Sequence, residues 1–270
     1  MSSPWIFICP SSRGIGHALT RRLLKTTTVP ILAATRRDPA STKSSLLEDF
    51  PSADLVAPRL SIVTCDVTHE PSIAAAAARA SELFPPKTHH LRLACGIPGV
   101  LYPEKNPRQI DADKSLETFR INTIGPLLLI KHFSEFLPKQ ATSLDPSPAD
   151  DQVRLPDHAT WFSMSARVGS IADNRAGGWY SYRASKAGVS SLSRSLDIYL
   201  RARCGDRALS VAYHPGTVKT ALSREFWGSV AEEKLFTPEY AAKRMVDVIA
   251  GLEVSQRGKC WDWKNEEVPP

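Results

Sequence analysis

The stretch Tyr180-Ser-Tyr-Arg-Ala-Ser-Lys186 holds the pair of side chains best suited to chemistry. Tyr182 and Lys186 are four residues apart, so on a helix both emerge from one face, one turn apart. An ammonium beside a phenol favours the phenolate and lowers a phenolic pKa that is about 10 in water. A proton donor tuned toward the working pH is a general acid–base catalyst. The same spacing is common on helix surfaces with no role. The pair gains meaning only if the rest of the chain builds a site around it.

Other chemistries find less support. The five cysteines, Cys9, Cys65, Cys95, Cys204 and Cys260, include no CxxC pair. Cys9, Cys65 and Cys95 each end an apolar run, as reduced cysteines of an intracellular protein do, which speaks against a disulfide framework or a zinc site. His89-His90 has no third ligand at a recognisable spacing, so no metal is expected. The net charge is +6, but the basic residues are scattered rather than massed, and no nucleic-acid partner is expected. The N-terminus enters an apolar run without the layout of a signal peptide. No stretch approaches the roughly 20 apolar residues of a membrane span. A cytoplasmic location is expected.

The elements that must position the pair follow from apolar patterning. Trp5-Ile-Phe-Ile-Cys9 reads as a buried parallel strand. Pro10-Ser-Ser-Arg-Gly-Ile-Gly16 follows, then an amphipathic stretch over 17–25. Strand, glycine-containing turn and helix is the setting in which backbone approaches a pyrophosphate at a helix N-terminus. The second strand, 29–35, ends in Thr35-Arg36-Arg37. In a dinucleotide fold an acid at this end takes the 2′-hydroxyl of NAD, and an arginine takes the 2′-phosphate of NADP. No acid stands at 35 or 36, and Arg13 adds a third positive group; Asp38 is the one dissenting residue. The competing reading makes Arg36 and Arg37 solvated strand-end charges.

Further strands are expected at 60–65, 91–95, 159–164, 209–213 and 258–263. Helices are expected at 71–83, 111–137, 180–203 and 238–249, with a partly helical segment at 222–235. Residues 140–157, rich in Pro, Asp and Ser, read as an exposed insertion within one domain spanning 1–270. The alternation implies an α/β fold, a Rossmann-type doubly wound parallel sheet, which binds ligands outside the carboxyl ends of its strands. Asp66, Gly96, Ser165 and the 215–220 loop all fall at such ends. Asn122, polar on an apolar stretch, reads as a satisfied core group with a functional role as well.

Taken in order, Arg13-Gly-Ile-Gly16, Asp66-Val-Thr68, Asn122, Tyr182-Arg-Ala-Ser-Lys186-Ala and Pro215-Gly-Thr-Val-Lys-Thr220 resemble the short-chain dehydrogenases/reductases over essentially the whole chain. Residues 165–182 resemble the C-factor-like and sniffer-like carbonyl reductases. The resemblance implies an oxidoreductase using NADP(H) on a carbonyl or alcohol. Tyr182 would be the general acid, Lys186 would lower its pKa and hold the nicotinamide ribose, and Asn122 would hold a water that refills the proton relay. A serine would hydrogen-bond the carbonyl: Ser165, or else Ser170. Ser12, Arg13, Gly14, Ile15 and Gly16 would cradle phosphates, Arg13 and Arg36 would select NADP(H), and Asp66 and Val67 would contact the adenine. Gly96, Pro215, Gly216, Val218 and Thr220 would complete the cofactor site, the last two at the nicotinamide amide.

The chain departs from the family at Cys9-Pro10, at Leu93-Ala-Cys95 before Gly96, and at Ala166, where a second serine is usual. Those departures motivate an alternative, a cofactor-binding regulatory or scaffold protein without turnover. The pocket segments 96–107, 171–179 and 222–236 contain Trp179, Phe226 and Trp227, which points to a bulky, largely apolar carbonyl substrate. The resemblance further implies a homo-dimer or homo-tetramer.

Overall fold

Strand β1 (Ser3–Cys9) sends Trp5, Phe7 and Cys9 into one apolar cluster and Ile6 and Ile8 into another, all fully buried. A strand apolar on both faces must be covered on both faces. In the computed structural model, which describes residues 1–50, 53–145 and 151–270, helices supply both covers.

The order is β1, α1 (Gly14–Thr26), β2 (Ile31–Thr35), α2 (Pro39–Leu47), α3 (Ala53–Val56), β3 (Leu60–Thr64), α4 (Glu70–Leu83) and β4 (His89–Gly96). It continues with α5 (Ala112–Phe119), a π-helical turn (Arg120–Ile124), α6 (Gly125–Phe133), β5 (Ala159–Met164), α7 (Tyr180–Cys204) and β6 (Ala208–His214). Last come β7 (Thr217–Val218), β8 (Leu235–Phe236), α8 (Pro238–Ala250), β9 (Cys260–Asp262) and β10 (Glu267–Val268). The main sheet has eight strands in the order β10-β9-β6-β5-β4-β1-β2-β3, parallel except for β10 against β9. Strands β7 and β8 form a separate parallel pair.

Helices α1 and α8 close one face, where Leu19 and Leu23 meet Met245 and Ile249 over Ile6, Ile8 and Phe162. Helices α4, α6 and α7 close the other, where Ile73, Leu129, Phe133, Leu196 and Leu200 cover Trp5, Phe7 and Trp161. This is the expected Rossmann-type, doubly wound single domain.

Three local features differ from the sequence expectation. The helix expected over 111–137 is three pieces, because the π-helical turn rotates Asn122 inward, where it is 0% exposed. Helix α2 was not anticipated; Asp38 caps it by accepting the Ser41 N–H at 2.9 Å, with Pro39 in the first turn. The expected insertion at 140–157 lies in part outside the described residues, at 146–150, while its flanks are anchored. Buried Arg92 of β4 donates to the main-chain oxygens of Asp145 and Pro156, at 2.8 and 2.9 Å.

Candidate active site

The carboxyl edge of the sheet is built from the turns after β1, β3, β4, β5 and β6. After β1, the close approach at Gly16 is obligatory: a Cβ there would lie 1.9 Å from the Pro10 oxygen. Gly14 has φ +57°, and a Cβ on it would lie 3.3 Å from Thr220 Cγ2, so the turn after β1 abuts the loop after β6. Helix α1 starts at Gly14 with no side-chain cap and no acid in its first turn. Its first N–H groups are therefore available to an anion. Ser12 and Arg13 are exposed beside it, and Ile15 packs against the core.

Arg36 and Arg37 leave β2 exposed, and among the described residues neither they nor Arg13 forms an ion pair. Asp38 turns away from them to cap α2. Asp66 follows β3. Burial alone would raise its carboxyl, but hydrogen bonds from the Thr68 amide and hydroxyl, with Arg36 and His69 nearby, hold it below the ordinary value. Val67 packs on α6, where a Cβ at Gly125 would meet it at 2.9 Å. Gly96 pairs with Cys9 at the end of β4. Pro215 and Gly216 turn the chain after β6 into β7, where Val218 is buried.

Tyr182 and Lys186 are both buried on α7, 8% and 2% exposed. The Lys186 ammonium donates to the Met164 oxygen at 2.8 Å and lies 5.8 Å from the Tyr182 ring centre. Burial pushes the phenol up to about 12 and the ammonium down to about 8. Lys186 responds to burial as Tyr182 does. Its ammonium is turned to a strand-end carbonyl, and loss of solvation governs both groups.

Asn122 is the hinge of the site. Its Oδ1 accepts the Val100 N–H at 2.8 Å, and its Nδ2 donates to the Val100 oxygen and to Ser185 Oγ, both at 3.0 Å. Ser185 in turn donates to the Tyr182 main-chain oxygen at 2.8 Å, one turn back along α7. A Cβ at Gly99 would lie 3.8 Å from Lys186 Nζ and 4.0 Å from Asn122 Oδ1, so these groups converge on one stretch of loop. Both Asn122 amide hydrogens are thus engaged by protein, while Oδ1 has a second lone pair beyond its bond from Val100.

Both candidate serines have protein partners for their hydroxyls. Ser165 Oγ donates to the Lys186 oxygen at 3.0 Å and lies 3.0 Å from Ser190 Oγ. Ser170 Oγ accepts the Asp173 N–H at 3.0 Å and donates to the Pro270 oxygen at 3.3 Å. Both hydroxyls are turned onto other partners than Tyr182. Trp179 stands edge-on to Tyr182, with ring centres 6.1 Å apart, and Phe226 packs on Trp179 at 4.8 Å. Among the described residues no cluster of His, Cys, Asp and Glu is arranged for a metal, and no helix is long and apolar enough to cross a membrane. Sequence reasoning missed Ser185, three residues past Tyr182 and facing Asn122, and Glu104, whose signal was the lack of any capping residue before Tyr180.

No family model matches the chain. It is 28% identical over 255 residues to a 1-hydroxy-2-glutathionyl-2-methyl-3-butene dehydrogenase from Rhodococcus sp. (strain AD45), covering 94% of each. It is 29% identical over 160 residues to the C-signal protein of Myxococcus xanthus, covering 59% of this chain and 81% of that one. The crystal structure of an NADPH-bound carbonyl reductase from chicken fatty liver superposes with a TM-score of 0.79 and 26% identity, covering 100% of both chains. The chain is thus similar over nearly its whole length to a dehydrogenase and to a carbonyl reductase. Function is to be argued from the site rather than from the fold.

Proposed function

We propose that this protein is an NADP(H)-dependent reductase of a bulky, largely apolar aldehyde or ketone, or of the corresponding alcohol in the reverse direction. The observation that carries the reading is the buried Tyr182–Lys186 pair at the carboxyl edge of the sheet, on the helix that Asn122 grips at Ser185.

The residues fit the cofactor. The uncapped start of α1 and the glycines at 14 and 16 form a cradle for the pyrophosphate. Arg36 and Arg13, which form no ion pair among the described residues, suit a 2′-phosphate. Asp66 and Val67 would border the adenine, Gly96 would lie near the adenosine, and Pro215, Gly216, Val218 and Thr220 would flank the nicotinamide half. When bound, the nicotinamide supplies or takes up the hydride. Tyr182 holds its proton far past neutral pH and donates it to the carbonyl oxygen. Lys186 carries its charge at neutral pH and stabilises the phenolate that remains. Asn122 holds the loop at Val100 against α7 so that the pair faces the substrate. Trp179 and Phe226 form an aromatic wall suited to an apolar group. A serine contact to the carbonyl would require the Ser165 or Ser170 hydroxyl to leave its present partner.

The test is NADPH oxidation followed by absorbance over a panel of aldehydes, ketones and quinones, with NADH in parallel. Turnover with NADPH over NADH supports the reading; no turnover with either opposes it. A second reading, cofactor binding without turnover, is favoured by Ala166 and by the engaged serine hydroxyls. Calorimetric NADPH binding with a silent panel would select it.

A further inference from the structure

Helix α7 begins without a cap of its own. Its N-cap residue is Trp179, whose side chain accepts no hydrogen bond, and its first turn holds no acid. Gly177, Gly178 and Trp179 pass in succession through left-handed backbone, with φ of 63°, 63° and 52°. For a tryptophan that conformation is unfavourable and persists only with support from its surroundings.

Glu104, 4% exposed in the loop after β4, gives that support. Its main-chain oxygen accepts the Trp179 N–H at 2.6 Å. Its carboxylate accepts the Ser181 N–H at 3.0 Å and the Ser181 hydroxyl at 2.5 Å. Ser181 Oγ also lies 2.7 Å from Ser115 Oγ on α5. A buried carboxylate is unfavourable unless charge or hydrogen bonds compensate it. Here it takes two hydrogen bonds at the positive end of a helix of 25 residues. Tyr182 is the next residue in the chain. The same loop is also gripped at Val100 by Asn122, which donates to Ser185, so loop and helix are joined directly at Ser181 and through Asn122 at Ser185.

We propose that Glu104 is a positioning residue for the reaction: by capping α7 from the loop after β4, it fixes the left-handed entry at Trp179 and so the direction of the Tyr182 phenol. The inference rests on the assignment of Tyr182 as proton donor. A misplacement of about 1 Å at a reacting group lowers rates by up to about 100-fold. Glu104 thus acts on turnover while the cofactor cradle, at the start of α1, is left intact.

The test uses the full-length protein, NADPH and para-nitrobenzaldehyde. Glu104→Ala should lower kcat by about 10- to 100-fold, with the NADPH dissociation constant, read by fluorescence titration, held within about 2-fold. Glu104→Gln should recover most of the loss, because its amide oxygen still accepts the Ser181 N–H. Ser181→Ala, which removes one donor and disturbs the fold least, should lower kcat in the same direction by a smaller factor. Wild-type kcat in Glu104→Ala, equal loss in the Ala and Gln variants, or loss of NADPH binding in parallel with kcat would each overturn the proposal. Tyr182→Phe is the separate arm. Full turnover there removes the reading of the site itself, whereas a dead Tyr182→Phe beside an unimpaired Glu104→Ala removes only the role of Glu104.

Discussion

Lys186 gives up its proton near pH 8 because burial penalises its charged form, while Tyr182 beside it stays protonated to about 12. The sign follows directly: the cationic lysine is present below about 8 and is lost as pH rises through it. The kcat/KM of carbonyl reduction should therefore be level through neutral pH and fall above about 8, and a profile flat to pH 10 would contradict this. The arginines give a second residue-scale expectation. Arg36→Ala should raise the NADPH KM by about 10- to 100-fold, the worth of a hydrogen bond to a charged group, and leave the NADH KM near its starting value. Steady-state kinetics with both cofactors decides it. Residues of this kind were partly legible. The Tyr182–Lys186 spacing and the missing acid after β2 can be read from the chain alone. Asp38 stands in sequence as an acid beside the arginines, yet Pro39 and Ser41 after it mark it as the cap of α2. The serine was not legible, since which way a hydroxyl turns after β5 depends on the Lys186 carbonyl and on Ser190, both far along the chain.

At the scale of elements, the site depends on close approaches that tolerate no added atom. In Gly16→Ala the new methyl would fall 1.9 Å from the Pro10 oxygen, so the turn after β1 must move. That variant should lose NADPH affinity and about 1–3 kcal/mol of stability, the range for overpacking, measurable by fluorescence titration and denaturant unfolding. Asn122→Ala would leave the buried Val100 N–H and oxygen without their partner amide. Such orphaned groups cost about 1–3 kcal/mol each, so unfolding at lower denaturant and reduced kcat are expected together. The strands and long helices behind these contacts follow from apolar runs and helical periodicity. The π-helical turn does not. An Asn among apolar residues signals a buried polar group, but the extra residue in the turn is imposed by contact with α7 and the loop after β4. Glu104 was hidden for the same reason, because the helix it caps lies 77 positions away in sequence.

The whole molecule follows the pattern that the sequence announces, since strands apolar on both faces leave a doubly wound sheet as the natural arrangement. The outer surface is less complete. Leu116, Ile124, Leu127 and Ile198, on α5, the π-helical turn, α6 and α7, are 70%, 46%, 45% and 58% exposed. Exposed apolar side chains grouped in this way favour self-association, and light scattering should report a dimer or larger species that Ile198→Glu shifts toward monomer. A monomer in both proteins would contradict that expectation. The central claim is that Tyr182 passes the proton while other residues hold the cofactor. Its most direct test is kcat for NADPH-driven carbonyl reduction in Tyr182→Phe, measured beside the NADPH dissociation constant of the same preparation. The account predicts a fall in kcat of about 100- to 10,000-fold with cofactor binding unchanged. Turnover at the wild-type rate, or a loss explained wholly by lost NADPH binding, would contradict it.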